Sequence, residues 1–212
     1  MVLASGATSS PVVADPSRFP GKPGLLEVFG DGPLLVALLG APGSGKTTWR
    51  RRWLPVVPAV NLDENRALLS PFRCESDQAV TAAALHMAYT QAGAVLASGR
   101  QVLWDATSTD RASRMALQVL AAEHGATTAA FVLLPPLEVC LERNGRRDAT
   151  LCPCGFPRRV PEEFVVGSYA DLAAVLPSLP SEGWDVVAFA DQLVHETPAG
   201  TSTPVQHLGG GR

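Results

Sequence analysis

Lysine is nearly missing from this chain of 212 residues: of its 17 basic residues only Lys22 and Lys46 are lysines. Charged residues of both signs make up just 17% and the net charge is −3, so no global basic field draws the whole surface to nucleic acid. No run approaches the roughly 18 apolar residues of a membrane span. The N-terminus lacks the basic start and cleavage pattern of a signal peptide. Four cysteines, Cys74, Cys140, Cys152 and Cys154, do not make a disulfide framework at this length. These absences lead to the expectation of a cytoplasmic protein with reduced thiols and no membrane association. The length suits one α/β domain with a sizeable core.

What is present is unevenly distributed. Residues 1–32 are rich in Ser, Thr, Pro and Gly, with short apolar patches at Val12-Val13 and Leu25-Leu26, and read as a loosely held extension. Residues 197–212, ending in three glycines and Arg212, read as a second tail. Between them, residues 33–196 alternate strand and helix signals. Strands are expected at 33–39, 56–60, 101–104, 128–134 and 185–189, the second weak and at an edge because of Pro58. Helices are expected at 76–98, with Leu85, Tyr89, Ala92 and Leu96 on one stripe, and at 109–123, with Ala112, Met115, Val119 and Ala122 inward. Two more are expected from Pro136 to about Asn144 and from Pro161, a proline suited to a first helical position. The fold class that follows is α/β: about five parallel strands flanked by helices, with ligands at the strand C-terminal ends.

The most informative segment is Gly40-Ala41-Pro42-Gly43-Ser44-Gly45-Lys46-Thr47, between an apolar strand and a helix. It is the G-x-x-x-x-G-K-[ST] phosphate loop, whose glycines let successive N–H groups face an anion at a helix N-terminus. Gly40, Pro42, Gly43, Ser44, Gly45, Lys46, Thr47 and Thr48 are therefore the candidate nucleotide-binding residues. Lys46, expected to face solvent in the empty loop, can reach the β- and γ-phosphates, and the Thr47 hydroxyl can hold Mg²⁺. ATP and Mg²⁺ are the expected cofactors.

Three further groups surround this loop. Asp63 and Arg66 are three apart after the second strand, so on a helix they share a face; a capping Asp with a surface Arg is the plainer alternative. Asp105 ends the strand Val102-Leu103-Trp104 and is a candidate metal ligand alongside Thr47; Thr107 and Ser108 are equally suited to capping the next helix. Ala106 stands where a motor ATPase has a water-polarising glutamate, and no Asn-Lys-x-Asp guanine-reading motif occurs, which points to a kinase. Arg143 and Arg147, four apart, can project together from a helix end onto a transferring phosphoryl group, or form a basic helix C-terminus favoured by the dipole.

Set around the phosphate loop in this order, these groups resemble the polynucleotide 5′-kinase branch of P-loop kinases, which shades into zeta-toxin-like and other small-molecule kinases. The resemblance covers about residues 34–189. It implies a P-loop kinase fold with an Arg-bearing lid at about 143–160. It also implies that Lys46 and Thr47 hold the phosphates and Mg²⁺, that Asp63 orients and deprotonates an acceptor hydroxyl, and that Arg66 grips an acceptor phosphate. Asp105 would hold the metal's water shell and Arg147, or Arg143, the donor phosphates. Ser108 departs from the branch's usual Asn after D-x-T, and the lid carries the unusual stretch Leu151-Cys152-Pro153-Cys154-Gly155-Phe156-Pro157-Arg158-Arg159.

The expected activity is ATP-dependent phosphorylation of a hydroxyl, the leading acceptor being the 5′-hydroxyl of a nucleic acid end. A sugar, nucleotide or antibiotic acceptor is the alternative, and a nucleotide-dependent switch with little turnover is a third reading. Cys152 and Cys154 lack the other half of a four-ligand zinc site, with Cys74 and Cys140 distant along the chain; a redox-sensitive pair is the other option. The four histidines form no pattern, and Trp49, Trp53, Trp104 and Trp184 read as packing residues.

Overall fold

The computed structural model describes Val12, Val13 and residues 31–189. Its centre is β2 (Leu34–Leu39), six apolar residues without alternation, each fully buried. A strand can lose all its exposure only if paired along both edges and covered on both faces. Here β4 (Gln101–Asp105) and β5 (Thr127–Val132) pair with it in parallel on either side. The sheet is extended by β3 (Ala59–Asn61) beyond β4 and by β6 (Val186–Phe189) beyond β5. Val12–Val13 (β1) adds a short parallel pairing on β6, so the order is β1-β6-β5-β2-β4-β3. The expected parallel α/β sheet and P-loop kinase fold are thus present. The weak second strand is at the edge, as Pro58 required, but begins only at Ala59.

Alternate residues of β2 serve two cores. Leu35, Ala37 and Leu39 join a cluster with Ala88, Ala92, Leu96, Leu117 and Leu172. Leu34, Val36 and Leu38 join Trp49, Phe131 and Leu133 on the other face. Removing one such leucine side chain costs about 2–5 kcal/mol. The α-helices among the described residues are α1 (Lys46–Trp53), α2 (Leu62–Leu69), α3 (Thr81–Ala97), α4 (Arg111–Glu123), α5 (Leu137–Gly145) and α6 (Glu162–Val175). The segment expected to begin α3 at residue 76 instead holds a 3₁₀ turn at Gln78–Val80, capped by Asp77. Gly99 and Gly125 close α3 and α4 in the left-handed conformation, as their places in the sequence predict. Pro136 and Pro161 cap α5 and α6 from the position just before the helix. Trp49, Trp104 and Trp184 are buried packing residues, as expected.

Helix α4 presents the opposite face from the one expected. Ala112, Met115, Val119 and Ala122 are exposed, whereas Arg114, Leu117 and Ala121 are buried. The reason is an ion pair invisible to periodicity. The guanidinium of Arg114 donates through Nε and Nη2 to the two carboxylate oxygens of Glu182, each at 2.7 Å, and through Nη1 to the Thr109 carbonyl at 2.5 Å. With its donors matched bidentately, an arginine is tolerated in the interior, and the helix turns its polar-looking stripe inward.

No helix among the described residues is long and apolar enough to cross a membrane. The expected tail at 197–212, the extension at 1–32 other than Val12–Val13 and residues 31 and 32, and His195 and His207 lie outside the described residues.

Candidate active site

The phosphate loop leaves the C-terminal end of β2 and runs directly into α1, whose N-cap is Gly45. Two of its glycines are fixed by close approach. A Cβ on Gly40 would lie 2.4 Å from Ser44 Oγ, and one on Gly43 would lie 2.3 Å from the Cys140 carbonyl oxygen, with Gly43 at a φ of 85°. Helix α5 therefore presses on the loop from above. Arg143 reinforces that contact, its Nη1 donating to the carbonyls of Gly43 at 3.4 Å and Ser44 at 3.3 Å.

Lys46 does not face solvent as expected. Its ammonium turns inward and donates to the carbonyls of Gly40 at 2.7 Å and Ala41 at 3.2 Å. Removal from water lowers its pKa to about 8, with Asp105 and Asp63 pulling it back up and Arg147 pushing it down. The loop folds its own cation back onto its carbonyls. Within it the buried Ser44 hydroxyl has no hydrogen-bond partner. An orphaned hydroxyl, a desolvated ammonium and close-packed glycines fit the triphosphate of a nucleotide.

Asp105 sits at the end of β4, its side chain 3% exposed. Its Oδ2 accepts from Thr47 Oγ1 at 3.3 Å and from Asn61 Nδ2 at 3.1 Å, with Arg50 Nε 3.5 Å away. Burial pushes the Asp105 carboxyl above its ordinary range, while Lys46, Arg50, Asn61 and Thr47 pull the other way. A hydroxyl and a carboxylate side by side are hard oxygen donors that fit Mg²⁺. Behind this carboxylate, Ser108 adopts a φ of 43°, and the backbone N–H of Gly40 donates to the Thr107 carbonyl at 3.4 Å. Left-handed backbone favours Asn among residues other than Gly, so a Ser is an uncommon occupant of this conformation. Neither Thr107 nor Ser108 caps α4; Asp110 does, accepting from the Ser113 N–H at 2.8 Å.

Asn61 is the residue that sequence reasoning passed over. Its Oδ1 caps α2, accepting from the N–H groups of Asp63 at 2.8 Å and Glu64 at 3.1 Å, while its amide nitrogen holds Asp105. An Asn between a strand and an amphipathic run is a capping signal in its own right, so the role was legible. Asp63 is thereby released from capping. It lies in the first turn of α2, its side chain 62% exposed, and pairs with Arg66 Nη1 at 2.5 Å, on one face as the spacing predicts. Arg66 Nε also donates to Thr81 Oγ1 at 3.0 Å. Arg50 was the second omission: it lies 3.5 Å from both Asp105 and Glu64, joining α1, α2 and β4.

Arg147 lies beyond the end of α5, half-buried, close enough to Lys46 to act on it and close enough to Asp63 to be acted on. Burial lowers its pKa and Asp63 counters that shift. The two expected arginines thus separate: Arg143 rests on the phosphate loop itself, and Arg147 lies within electrostatic range of Lys46 and the exposed Asp63. Thr48 is exposed on the first turn of α1. Cys74, distant along the chain, lies beside Cys152 and Cys154.

A family profile described as an AAA domain matches residues 35–164, well over half of the chain, and the chain belongs to that family. No curated protein sequence matches it. Among solved structures, one chain of the Pnkp1/Rnl/Hen1 RNA repair complex has a TM-score of 0.56 at 24% identity, covering 70% of this chain and 46% of that one. The complex AvrRxo1-ORF1:AvrRxo1-ORF2 gives 0.57 at 22% identity with sulphate ions, over 74% of this chain and 52% of that one. Solved with ATP, the same complex gives 0.54 at 22% identity, over 72% and 51%. These likenesses establish a shared P-loop kinase fold. The chain spans under half the length of the RNA repair chain and about half that of the AvrRxo1 chain.

Proposed function

We propose that this protein is an ATP-dependent kinase that transfers the γ-phosphoryl group to a hydroxyl, with the 5′-hydroxyl of a nucleic acid end as acceptor. Residues 33–196 form the kinase domain and about 143–160 its arginine-bearing lid. The observation that carries the reading is the placement of Asp63: an exposed carboxylate, not needed as a helix cap, within electrostatic reach of both Lys46 and Arg147. A protein that only binds nucleotide has no use for a carboxylate at that point. The ATP-bound form of a similar fold supports ATP as the donor.

In this reading Lys46 leaves the Gly40 and Ala41 carbonyls for the β- and γ-phosphates, and the loop N–H groups and Ser44 hydroxyl complete the cradle. Thr47 and Asp105 would hold Mg²⁺, which would neutralise phosphate charge. Asp63 accepts a hydrogen bond from the acceptor hydroxyl and orients its oxygen towards the γ-phosphorus. As the new P–O bond forms and the bond to the β-phosphate oxygen breaks, the hydroxyl proton passes to Asp63, giving ADP and a phosphoester. A carboxylate is a weak base for an alcohol, but a loose transition state acidifies the hydroxyl late, so orientation dominates. Arg147 supplies positive charge where the equatorial oxygens gain negative charge. Arg66 exchanges its Asp63 contact for an acceptor phosphate.

A small-molecule acceptor is the second reading. It is favoured by Arg66 being engaged by both Asp63 and Thr81 and by the absence of an overall basic charge. The deciding measurement is transfer from γ-labelled ATP to 5′-hydroxyl oligonucleotides and to small alcohols, each at two salt concentrations. Oligonucleotide labelling is expected, with affinity falling by a log–log slope of about −0.7 per phosphate engaged. No oligonucleotide binding and no labelling at low salt would end the nucleic acid reading, and labelled small alcohols would then establish the second.

A further inference from the structure

Three thiols contributed by distant parts of the chain converge beside the lid. Cys74 belongs to the loop between α2 and α3, and Cys152 and Cys154 to the segment between α5 and α6. The sulfurs of Cys74 and Cys154, 80 residues apart in sequence, are 3.2 Å apart, and all three sulfurs lie within 4.8 Å of one another. Each cysteine is half-buried.

The local backbone is shaped for this convergence. The Cys152 N–H donates to the Phe156 carbonyl at 3.1 Å, and the Gly155 N–H donates to the Cys152 carbonyl at 2.8 Å. Leu151 and Pro157 form an antiparallel bridge, closing residues 151–157 into a tight turn with Gly155 at a φ of 88°. That turn sets the two thiols of Cys-Pro-Cys on the side facing Cys74. The opposite loop is also braced, since Ser70 Oγ donates to the buried Asp77 carboxylate at 2.7 Å. Neither loop contributes a residue to the two apolar cores. Thiols are weak hydrogen-bond donors, and one ion pair, Arg158 with Glu75 at 3.2 Å, is worth little at the surface.

We propose that Cys74, Cys152 and Cys154 bind one zinc ion, which staples the arginine-bearing segment 147–159 to the loop between α2 and α3. Zinc takes thiolates tetrahedrally at about 2.3 Å, which separates the sulfurs by about 3.8 Å, so the observed cluster needs only small shifts to accept it. Three protein sulfurs leave one position to a solvent oxygen. Zinc binds the thiolate form, so uptake of the ion by this cluster releases protons. A Cys74–Cys154 disulfide is the competing chemistry, and it would leave Cys152 unused.

Metal binding stands independently of the proposed activity; its effect on catalysis, by fixing where Arg147 rests, depends on that reading. The test is the zinc content of the full chain, purified with reductant and without chelator, in the absence of nucleotide and acceptor. About one zinc per chain is expected. Cys74→Ser and Cys152→Ser should each lower it at least tenfold, and Cys140→Ala should leave it unchanged. Cobalt added to the metal-free parent should produce a thiolate-to-cobalt charge-transfer band that Cys154→Ser abolishes. Should the serine variants prove insoluble, chelation of the parent should speed proteolytic cleavage within residues 147–160 about tenfold, reversed by added zinc. A parent with neither zinc nor a cobalt band overturns the proposal, as does a Cys74–Cys154 disulfide under reducing purification. Cleavage indifferent to the chelator overturns the staple.

Discussion

Two aspartates near the ends of adjacent strands live under opposite conditions. Asp105 is 3% exposed and held by Thr47, Asn61 and Arg50; Asp63 is 62% exposed and held by Arg66 alone. The contrast extends to their surroundings. The donor side is built from backbone: a fully buried strand, glycines that admit no Cβ, and carbonyls that hold Lys46. The proposed acceptor side is built from side chains: the exposed Asp63, the partly buried Arg66 and Arg147, and the exposed Arg143, Arg146, Arg158 and Arg159. Backbone geometry leaves little room for variation, so the nucleotide side is common to many proteins. Side chains on a surface can be exchanged at small cost in stability, and under the proposed activity that is where an acceptor would be chosen.

The contrast can be broken most severely through Lys46→Ala. Removing the one cation inside the loop should lower phosphate transfer by about 10³-fold or more while far-ultraviolet circular dichroism stays that of the parent. Turnover like the parent's would mean that the loop is not the donor site. Asp63→Asn acts on the other side and should lower the maximal rate by about 10²-fold with ATP affinity unchanged. Equal losses in rate and ATP affinity would reduce Asp63 to a structural partner of Arg66.

Arg147 interacts electrostatically with both Lys46 and Asp63 and should show a smaller effect than either. Arg147→Ala is expected to lower the rate roughly tenfold and ATP affinity much less, because its interaction strengthens as charge moves onto the transferred group. An unchanged rate would transfer that role to Arg143, which touches the Gly43 and Ser44 carbonyls.

The smallest effect concerns pH and belongs to the donor side alone. In the empty protein Lys46 has its pKa lowered to about 8. A bound polyanion favours the protonated amine, so nucleotide binding takes up a proton once the pH exceeds that value. Affinity should therefore fall about threefold between about pH 7.5 and about 8.5, with proton uptake detectable by calorimetry in two buffers. The unfolded chain keeps that proton up to its ordinary pKa of 10.5, so the empty protein should gain stability as pH rises from about 8 towards that value. Both trends should vanish in Lys46→Ala, and persistence there would assign them to another group.

The same divide governs what the sequence revealed. Strand β2, the phosphate loop and Asp105 are contiguous or follow short local rules, and each was found in place. The face of α4 was misjudged because Arg114 is buried by Glu182, 68 residues away, and no periodicity reports such a partner. The third thiol escaped for the same reason: Cys74 reaches Cys154 only through the fold. The capping role of Asn61, by contrast, lay in plain local sequence and was overlooked in favour of the charged residues beside it.

The phosphate loop's ceiling also bears on how the chain is made. Gly40 fits beneath the Leu133 carbonyl and Gly43 beneath that of Cys140, and Arg143 reaches back 100 residues to Gly43. A ribosome that has released β2 must therefore synthesise β4, β5 and α5 before the loop can close, several seconds at about 5–20 residues per second. Until β4 emerges Leu34–Leu39 is a six-residue apolar segment with both edges open, and until β5 emerges one edge stays open. Such a segment is a template for pairing with other chains. Newly made protein should thus be most vulnerable to aggregation before residue 132 emerges, and nucleotide offered during synthesis can rescue only chains that have passed α5.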